Sequence, residues 1–171
     1  MKLKNTARPS AGFLVIALMM AIGVSAIADD TPWKYRFEPA HGITAAGQPN
    51  EAEFKELADN GYAAVIDLRS AGEDRGLDEE TTVERLGMEY IALPIDGRDA
   101  INFDNAKKLD EILSQYEKPV LVHCGSSNRV GALFALRESM NGASDEDSLA
   151  FGKSAGMTSL ESTVKTRLEE N

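Results

Sequence analysis

The stretch from Pro119 to Gly131, with the sequence PVLVHCGSSNRVG, is the clearest indication of the fold. Its first residues have the length and apolar character of a buried strand, and an Ala- and Leu-rich helical pattern begins at about Arg129. The small polar residues between them form a tight loop at a helix N-terminus, where unpaired N–H groups and the helix dipole favour negative charge. The stretch therefore predicts a strand, an anion-binding loop and a helix.

Cys124 is the only cysteine of the chain and stands at the start of this loop. Converging backbone amides should favour its thiolate form, because the loop stabilises an anion. Arg129 ends the loop, and its planar guanidinium matches two oxygens of an oxyanion at once. We therefore expect Cys124 to act as a nucleophile and Arg129 to bind the transferred group. The alternative is that Cys124 is a small buried apolar residue, the usual environment of a free cysteine.

The rest of the loop is expected to bind the anion through its backbone amides, with hydroxyl and amide side chains as further donors. These predicted binding residues are Gly125, Ser126, Ser127, Asn128 and Arg129. His123 is predicted to be structural and to help keep the neighbouring thiolate ionised. With His41 as the only other histidine, the spacing of His and Cys predicts no metal site.

The pattern His123-Cys124-x4-Arg129 resembles the active loop of cysteine-dependent phosphatases, and the segment 46–69, AGQPNEAEFKELADNGYAAVIDLR, strengthens the match. Together they resemble the bacterial domains related to dual-specificity phosphatases, the beta-lactamase-hydrolase-like phosphatase family, over roughly Phe37 to Arg167. The resemblance implies a three-layer α/β fold with a central, mostly parallel sheet flanked by helices. It also implies a phosphoric monoester hydrolase that forms a phosphocysteine intermediate on Cys124 and needs no cofactor.

Two departures from the larger phosphatase families leave other functions open. Four residues separate Cys124 from Arg129 where most of those enzymes have five, and rhodanese-type sulfurtransferases often have four as well. Val130 stands where those families place a Ser or Thr that assists the departing thiolate, which predicts slow turnover or none. The alternatives are a sulfurtransferase carrying a persulfide and a catalytically weak module that binds an oxyanion.

The resemblance further implies a general acid about thirty residues before the cysteine, on a loop that follows a strand. Asp96, in the sequence LPIDGR, fits this position, and Asp99 is the second candidate. Either residue also suits an ordinary turn. Arg69 ends a predicted strand and either faces the same site or forms an ion pair with Glu73 or Asp74.

Hydrophobic patterns along the chain alternate between strands and helices, which predicts one α/β domain. The predicted strands cover residues 33–37, 43–46, 63–68, 89–93 and 120–123. The predicted helices cover residues 50–61, 78–87, 103–115 and 129–140, and two more follow Ser144 and the capping box Thr158-x-x-Glu161. The chain carries 18 basic and 28 acidic residues, a net charge of −10 that disfavours nucleic acid and anionic lipid as partners. Nothing in the sequence fixes the oligomeric state.

The N-terminus has the pattern of a secretory signal peptide. Three basic residues precede an apolar run over residues 13–24, and the sequence Ala26-x-Ala28 follows. We expect residues 1–28 to be removed, leaving a segment 29–36 and a phosphatase-like domain over residues 37–171. An uncleaved membrane anchor is the alternative, although the apolar run is shorter than the roughly 20 residues of a membrane span. Removal would lower the net charge from −10 to −13, since residues 1–28 hold three basic and no acidic residues.

The mature protein is therefore expected to begin at Asp29 and to lie in the periplasm or outside the cell. N-terminal sequencing of protein recovered from the periplasmic and medium fractions checks this expectation. Intact residues 1–28 in a membrane fraction would contradict it.

Overall fold

The structure of the protein, a computed structural model, describes residues 33–170. The predicted signal peptide lies outside these residues. Between residues 33 and 170, no helix combines the length and the apolar character that crossing a bilayer requires.

A five-stranded sheet in the order β1-β2-β5-β3-β4 lies at the centre of the domain. Its strands are β1 (Phe37–Ala40), β2 (Ile43–Ala46), β3 (Ala64–Asp67), β4 (Glu89–Ala92) and β5 (Val120–His123). β1 pairs with β2 in antiparallel fashion, and the other three pairings are parallel. β3 and β5 are buried along their whole length, which explains their continuous apolar sequences, because a parallel strand covered on both faces needs no alternation.

Helices cover both faces of the sheet, so the predicted three-layer α/β fold is confirmed. Ile66 and Val122 face one apolar core, while Val65 and Leu121 face the other, as the alternation of side chains along a strand requires. The helices are α1 (Glu51–Asp59), α2 (Glu79–Arg85), α3 (Phe103–Leu113), α4 (Asn128–Met140), α5 (Asp145–Ser154) and α6 (Glu161–Glu169). α1 and α2 contribute to the smaller core, and α3 to α6 contribute to the larger one.

The parallel register brings the ends of four strands to one edge. His123 pairs with Ala46 on one side and with Asp67 on the other, and Asp67 pairs in turn with Ala92. The loops that follow these residues therefore meet at the carboxyl edge of the sheet, where ligands of parallel α/β sheets bind.

α4 is buried on nearly all sides and crosses α5 at two glycines. A Cβ atom built on Gly152 would stand 2.7 Å from the carbonyl oxygen of Gly131, and one built on Gly131 would overlap the backbone of Gly152 and Met157. The two helix backbones therefore touch directly, a contact that any side chain would prevent.

Two local predictions were wrong. The first strand begins at Phe37, and the residues before it form a turn in which Tyr35 adopts a φ of 61°. The positive φ of Tyr35 ends the strand, because a strand needs extended backbone, although Gly47 still donates a hydrogen bond to the carbonyl of Tyr35 in register with the pairing of Phe37 and Ala45.

The predicted capping box at Thr158 is also absent. α6 begins at Glu161, and its N-cap residue Leu160 has no capping hydrogen bond from its own side chain. The backbone N–H groups of Thr158 and Leu160 donate instead to Oδ1 of Asn128, so a residue at the start of α4 satisfies them. α1 begins with a capping box of Asn50 and Glu53, and α5 begins after Ser144 as predicted, with Ser144 as its N-cap.

Replacing Gly131 with alanine should lower the free energy of unfolding by about 1–3 kcal/mol, because the new methyl group forces α4 and α5 apart. Urea unfolding of the wild-type protein and of the variant measures the change. Gly72→Ala is the matched control, since a Cβ there meets no atom within 4 Å. Equal unfolding midpoints for both variants would contradict the direct helix contact.

Candidate active site

The loop between β5 and α4 turns sharply into the helix at Ser127. This residue has a φ of 65°, a conformation that costs a non-glycine residue about 1–2 kcal/mol. Its hydroxyl donates to the carbonyl of Ala155 at 2.8 Å, which holds the turn in place. At the start of the loop, the N–H of Cys124 donates to the carbonyl of Ala46 at 3.2 Å. Both ends of the loop are thus fixed by neighbouring elements.

Gly125 and Ser126 form the exposed surface of this loop, while the side chain of Cys124 is buried beneath it. The guanidinium of Arg129 lies close enough to Cys124 for the charge of the thiolate to act on it. The hydrogen bonds to Glu73 and the charge of Cys124 raise the pKa of Arg129, although burial opposes this rise. The structure therefore brings the predicted nucleophile and the predicted anion-binding arginine together.

Glu73 holds Arg129 in a two-pronged ion pair. Its two carboxylate oxygens accept hydrogen bonds from Nη1 and Nη2 of Arg129 at 2.6 and 2.7 Å. The hydrogen bonds from Arg129 lower the pKa of Glu73 to about 2, with a further contribution from the backbone N–H of Ser70 and against the opposing effect of burial. Such a pair fixes the plane of the guanidinium, because both prongs must be satisfied together.

Arg69 pairs with the same carboxylate. Its Nε lies 3.6 Å from Oε2 of Glu73, and its Nη2 donates to the carbonyl of Asp74. Of the two alternatives that the sequence left open, the structure shows the ion pair with Glu73. The side chain is only 3% exposed, so its charge is buried beside the loop.

Ser127 and Asn128 direct their side chains away from the exposed surface of the loop. The Ser127 hydroxyl is engaged by Ala155, and the Asn128 amide bonds to the backbone of Thr158 and to the hydroxyl of Ser159 at 2.9 Å. Both side chains, which were expected to donate to an anion as well, have other hydrogen-bond partners in this structure. Their backbone amides remain part of the loop.

The two candidate acids lie in different surroundings. Asp96 is exposed and directly follows the buried residue Ile95, whose carbonyl accepts a hydrogen bond from Arg129 at 3.2 Å. Asp99 is fully exposed, and its nearest cation is Arg167 at 3.7 Å. Asp96 thus follows a residue that contacts the arginine of the loop, whereas Asp99 lies near Arg167.

A group of buried polar residues that the sequence did not reveal lies behind the loop. Asp67, Glu79 and His123 offer ligand atoms within 4.8 Å of one another, which is close enough for a metal ion. However, Asp67 already accepts hydrogen bonds from Arg75 at 2.8 Å and from Tyr90 at 2.9 Å. A neighbouring arginine repels a metal cation, so we interpret the group as a set of buried ion pairs.

The comparisons with known proteins agree with this geometry. A family model described as "DSP-PTPase phosphatase fused to NAD+ Kinase" matches residues 36–170. Beta-lactamase hydrolase-like proteins of Xylella fastidiosa and Agrobacterium fabrum are 34% and 29% identical to the chain over 119 residues. These matches cover 67% of the chain but only 27% of either relative, so the chain corresponds to about a quarter of their length.

A solved structure has the same fold. The crystal structure of a putative phosphatase from Neisseria meningitidis superposes with a TM-score of 0.66 at 17% identity, over 78% of this chain and 98% of that one. The bacterial dual-specificity-phosphatase-like domain expected from residues 46–69 and 123–129 is thereby confirmed.

Replacing Glu73 with glutamine should remove a pH-dependent part of the stability. The pKa of Glu73 in the folded protein is about 2, below its ordinary value of 4.5, so its ionised form stabilises the fold above pH 4.5 and loses this effect as the pH falls toward 2. We expect the wild type to be more stable than Glu73→Gln at pH 6 and the difference to shrink at pH 2–3.

Unfolding by urea at several pH values measures this difference. The exposed residue Glu84 supplies the matched control, Glu84→Gln, which should follow the wild type. A constant difference between wild type and Glu73→Gln across this pH range would contradict the ion pair with Arg129.

Proposed function

The chain belongs to the DSP-PTPase phosphatase family, and from this premise we propose that it hydrolyses phosphomonoesters through a phosphocysteine intermediate on Cys124. The observation that carries the proposal is the placement of Cys124 and Arg129 at the two ends of one exposed loop, with the guanidinium near the thiol. A nucleophile and a bidentate oxyanion ligand on the same short loop are what transfer of a phosphoryl group requires.

In the first step the Cys124 thiolate attacks phosphorus, the S–P bond forms and the bond to the ester oxygen breaks. The backbone amides of residues 125–129 and the guanidinium of Arg129 hold the three equatorial oxygens, where charge accumulates. Asp96 donates a proton to the departing oxygen, which then leaves as an alcohol. Water next attacks the phosphocysteine, the Asp96 carboxylate accepts its proton, and phosphate and the thiolate are released.

Glu73 supports this mechanism without touching the substrate. The two hydrogen bonds that it accepts from Nη1 and Nη2 keep the guanidinium of Arg129 in one plane near Cys124. The oxyanion therefore meets a preorganised donor, which costs less reorganisation than a mobile side chain would.

Val130 supports the weaker alternative of an oxyanion-binding module. Its side chain is fully buried in the larger core, so it offers no hydroxyl to the departing thiolate. Hydrolysis of the phosphocysteine should therefore be the slow step. Membership in the phosphatase family favours phosphate over sulfane sulfur and so counts against the sulfurtransferase alternative.

Export to the periplasm or the medium is part of the proposal and rests on the N-terminal sequence pattern alone. The substrate is proposed to be a phosphorylated molecule whose charge the loop neutralises locally. Lys and Arg are outnumbered in the chain as a whole, so the arginines of the site supply the attraction that the rest of the surface does not.

Asp96→Asn should lower kcat/KM for alkyl phosphates about 10²- to 10⁴-fold, the usual contribution of general acid catalysis, and change it little for nitrophenyl phosphate. The contrast arises because nitrophenolate leaves readily as an anion and hardly needs the proton. Steady-state kinetics on both substrates with reduced protein test this expectation.

Asp99→Asn is the matched control and should behave as the wild type, whereas Cys124→Ser should abolish turnover. Equal losses on both substrates would assign Asp96 a structural role and transfer the acid to Asp99. Turnover of thiosulfate and cyanide, together with unchanged kinetics in Asp96→Asn, would favour the sulfurtransferase instead.

A further inference from the structure

Glu79 is a buried carboxylate at a place where a helix normally carries exposed ones. It is the first residue of α2, next to the exposed residues Asp78 and Glu80, yet its side chain is only 2% exposed. Burying a charge is costly unless the charge is paired and hydrogen bonded. The position of Glu79 therefore needs a reason beyond stabilising the helix start.

Both oxygens of Glu79 bind residues that border the loop of Cys124. Oε1 lies 2.7 Å from Nε2 of His123, and Oε2 accepts a hydrogen bond from the Gln48 side chain at 2.9 Å. Burial works to raise the pKa of Glu79, but the hydrogen bond and the charge of His123, together with Gln48 and Arg69, lower it overall. The carboxylate is thus ionised, and each of its oxygens has a defined partner.

The two partners fix the two strands from which the loop rises. His123 is the last residue of β5 and immediately precedes Cys124, and its fully buried ring also packs edge-on against Phe54. Gln48 directly follows Gly47, which forms the bridge to Ser126 within the loop. One carboxylate therefore joins the residue before the nucleophile to the segment that pairs with the loop.

We propose that Glu79 is a positioning residue for the nucleophile loop and that it acts through His123 and Gln48. It holds the backbone of Cys124 and Ser126 so that the loop amides converge on one oxyanion. The kinetic part of this inference rests on the proposed function, whereas binding of orthovanadate, a phosphate analogue, reports on the loop without turnover.

Glu79→Gln keeps the shape of the side chain and removes its charge, and Glu80→Gln removes the neighbouring exposed charge as the matched control. We expect Glu79→Gln to weaken orthovanadate binding about 10- to 100-fold and to lower kcat/KM for nitrophenyl phosphate similarly, because small displacements of reacting groups have effects of this size. Glu80→Gln should match the wild type in both measurements. All variants are compared at a temperature well below their unfolding midpoints.

A double-mutant cycle separates positioning from general destabilisation. If Glu79 acts in part through His123, Glu79→Gln should weaken orthovanadate binding less in the His123→Ala background than in the wild type, and Gln48 accounts for the remaining loss. Gln48→Ala, which removes one hydrogen bond at the half-buried end of the network, should weaken binding about two- to tenfold and serves if Glu79→Gln fails to fold.

The outcomes are distinguishable. The positioning role is overturned if Glu79→Gln binds orthovanadate within twofold of the wild-type affinity. If Glu79→Gln does not fold, the same result in Gln48→Ala overturns it. Fully additive losses in the double-mutant cycle overturn it as well. Wild-type protein that binds orthovanadate but hydrolyses no phosphate ester overturns the proposed function, and the positioning role is then judged on affinity alone. Wild-type protein that binds no orthovanadate overturns both.

Discussion

The parallel pairing of β5 between β2 and β3 is the constraint on which the site depends. Hydrogen bonds from Cys124 to Ala46 and from Leu68 to His123 continue this pairing one residue beyond the strands, so the nucleophile leaves the sheet at a fixed height and direction. The end of β5 is buried on both faces and has strands on both sides, which leaves the chain no alternative course there. This edge of the sheet fixes where the loop after β5 begins and therefore where Arg129 lies. It also fixes the start of the loop after β4, which carries Asp96.

Basic residues neutralise the carboxylates around the loop, and this explains how a protein with a net negative charge can have a site for anions. Asp67 is matched by Arg75, Glu79 by His123, and Glu73 by Arg129 and Arg69 together. Two arginines share the single negative charge of Glu73, and this excess of one positive charge is available for the thiolate or for an incoming oxyanion. Each of these pairs is at least partly buried, so removing one member would leave the other without its partner in a medium of low dielectric, at a cost far above that of a surface pair.

Local sequence patterns predicted the features that depend on neighbouring residues. They did not predict the hydrogen bonds and ion pairs between residues far apart in the chain. The strand and loop around Cys124 and the helix that follows Asn50 depend on residues close together in the chain, whereas the choice of Asp96 as the acid rests on the family resemblance. The bond between His123 and Glu79 joins residues 44 positions apart, and the fork between Arg129 and Glu73 joins residues 56 apart. Glu79 in particular looks like an ordinary acidic residue in the first turn of a helix, and nothing in its neighbourhood indicates that it is buried. The role of Asn128 at the start of α6 escaped prediction for the same reason, since Asn128 belongs to another element.

The contact between Gly131 and Gly152 limits the substitutions that this domain tolerates. When two side chains are in contact, a larger residue at one position can be compensated by a smaller residue at the other. Here a side chain at either position would meet backbone atoms, which no substitution can make smaller. Neither glycine can therefore compensate for the loss of the other, and a substitution at either position must move a whole helix. α4 carries Arg129 in its first turn, so such a movement would carry the guanidinium away from Cys124. The close packing of these two glycines thus helps to set the distance between thiol and arginine.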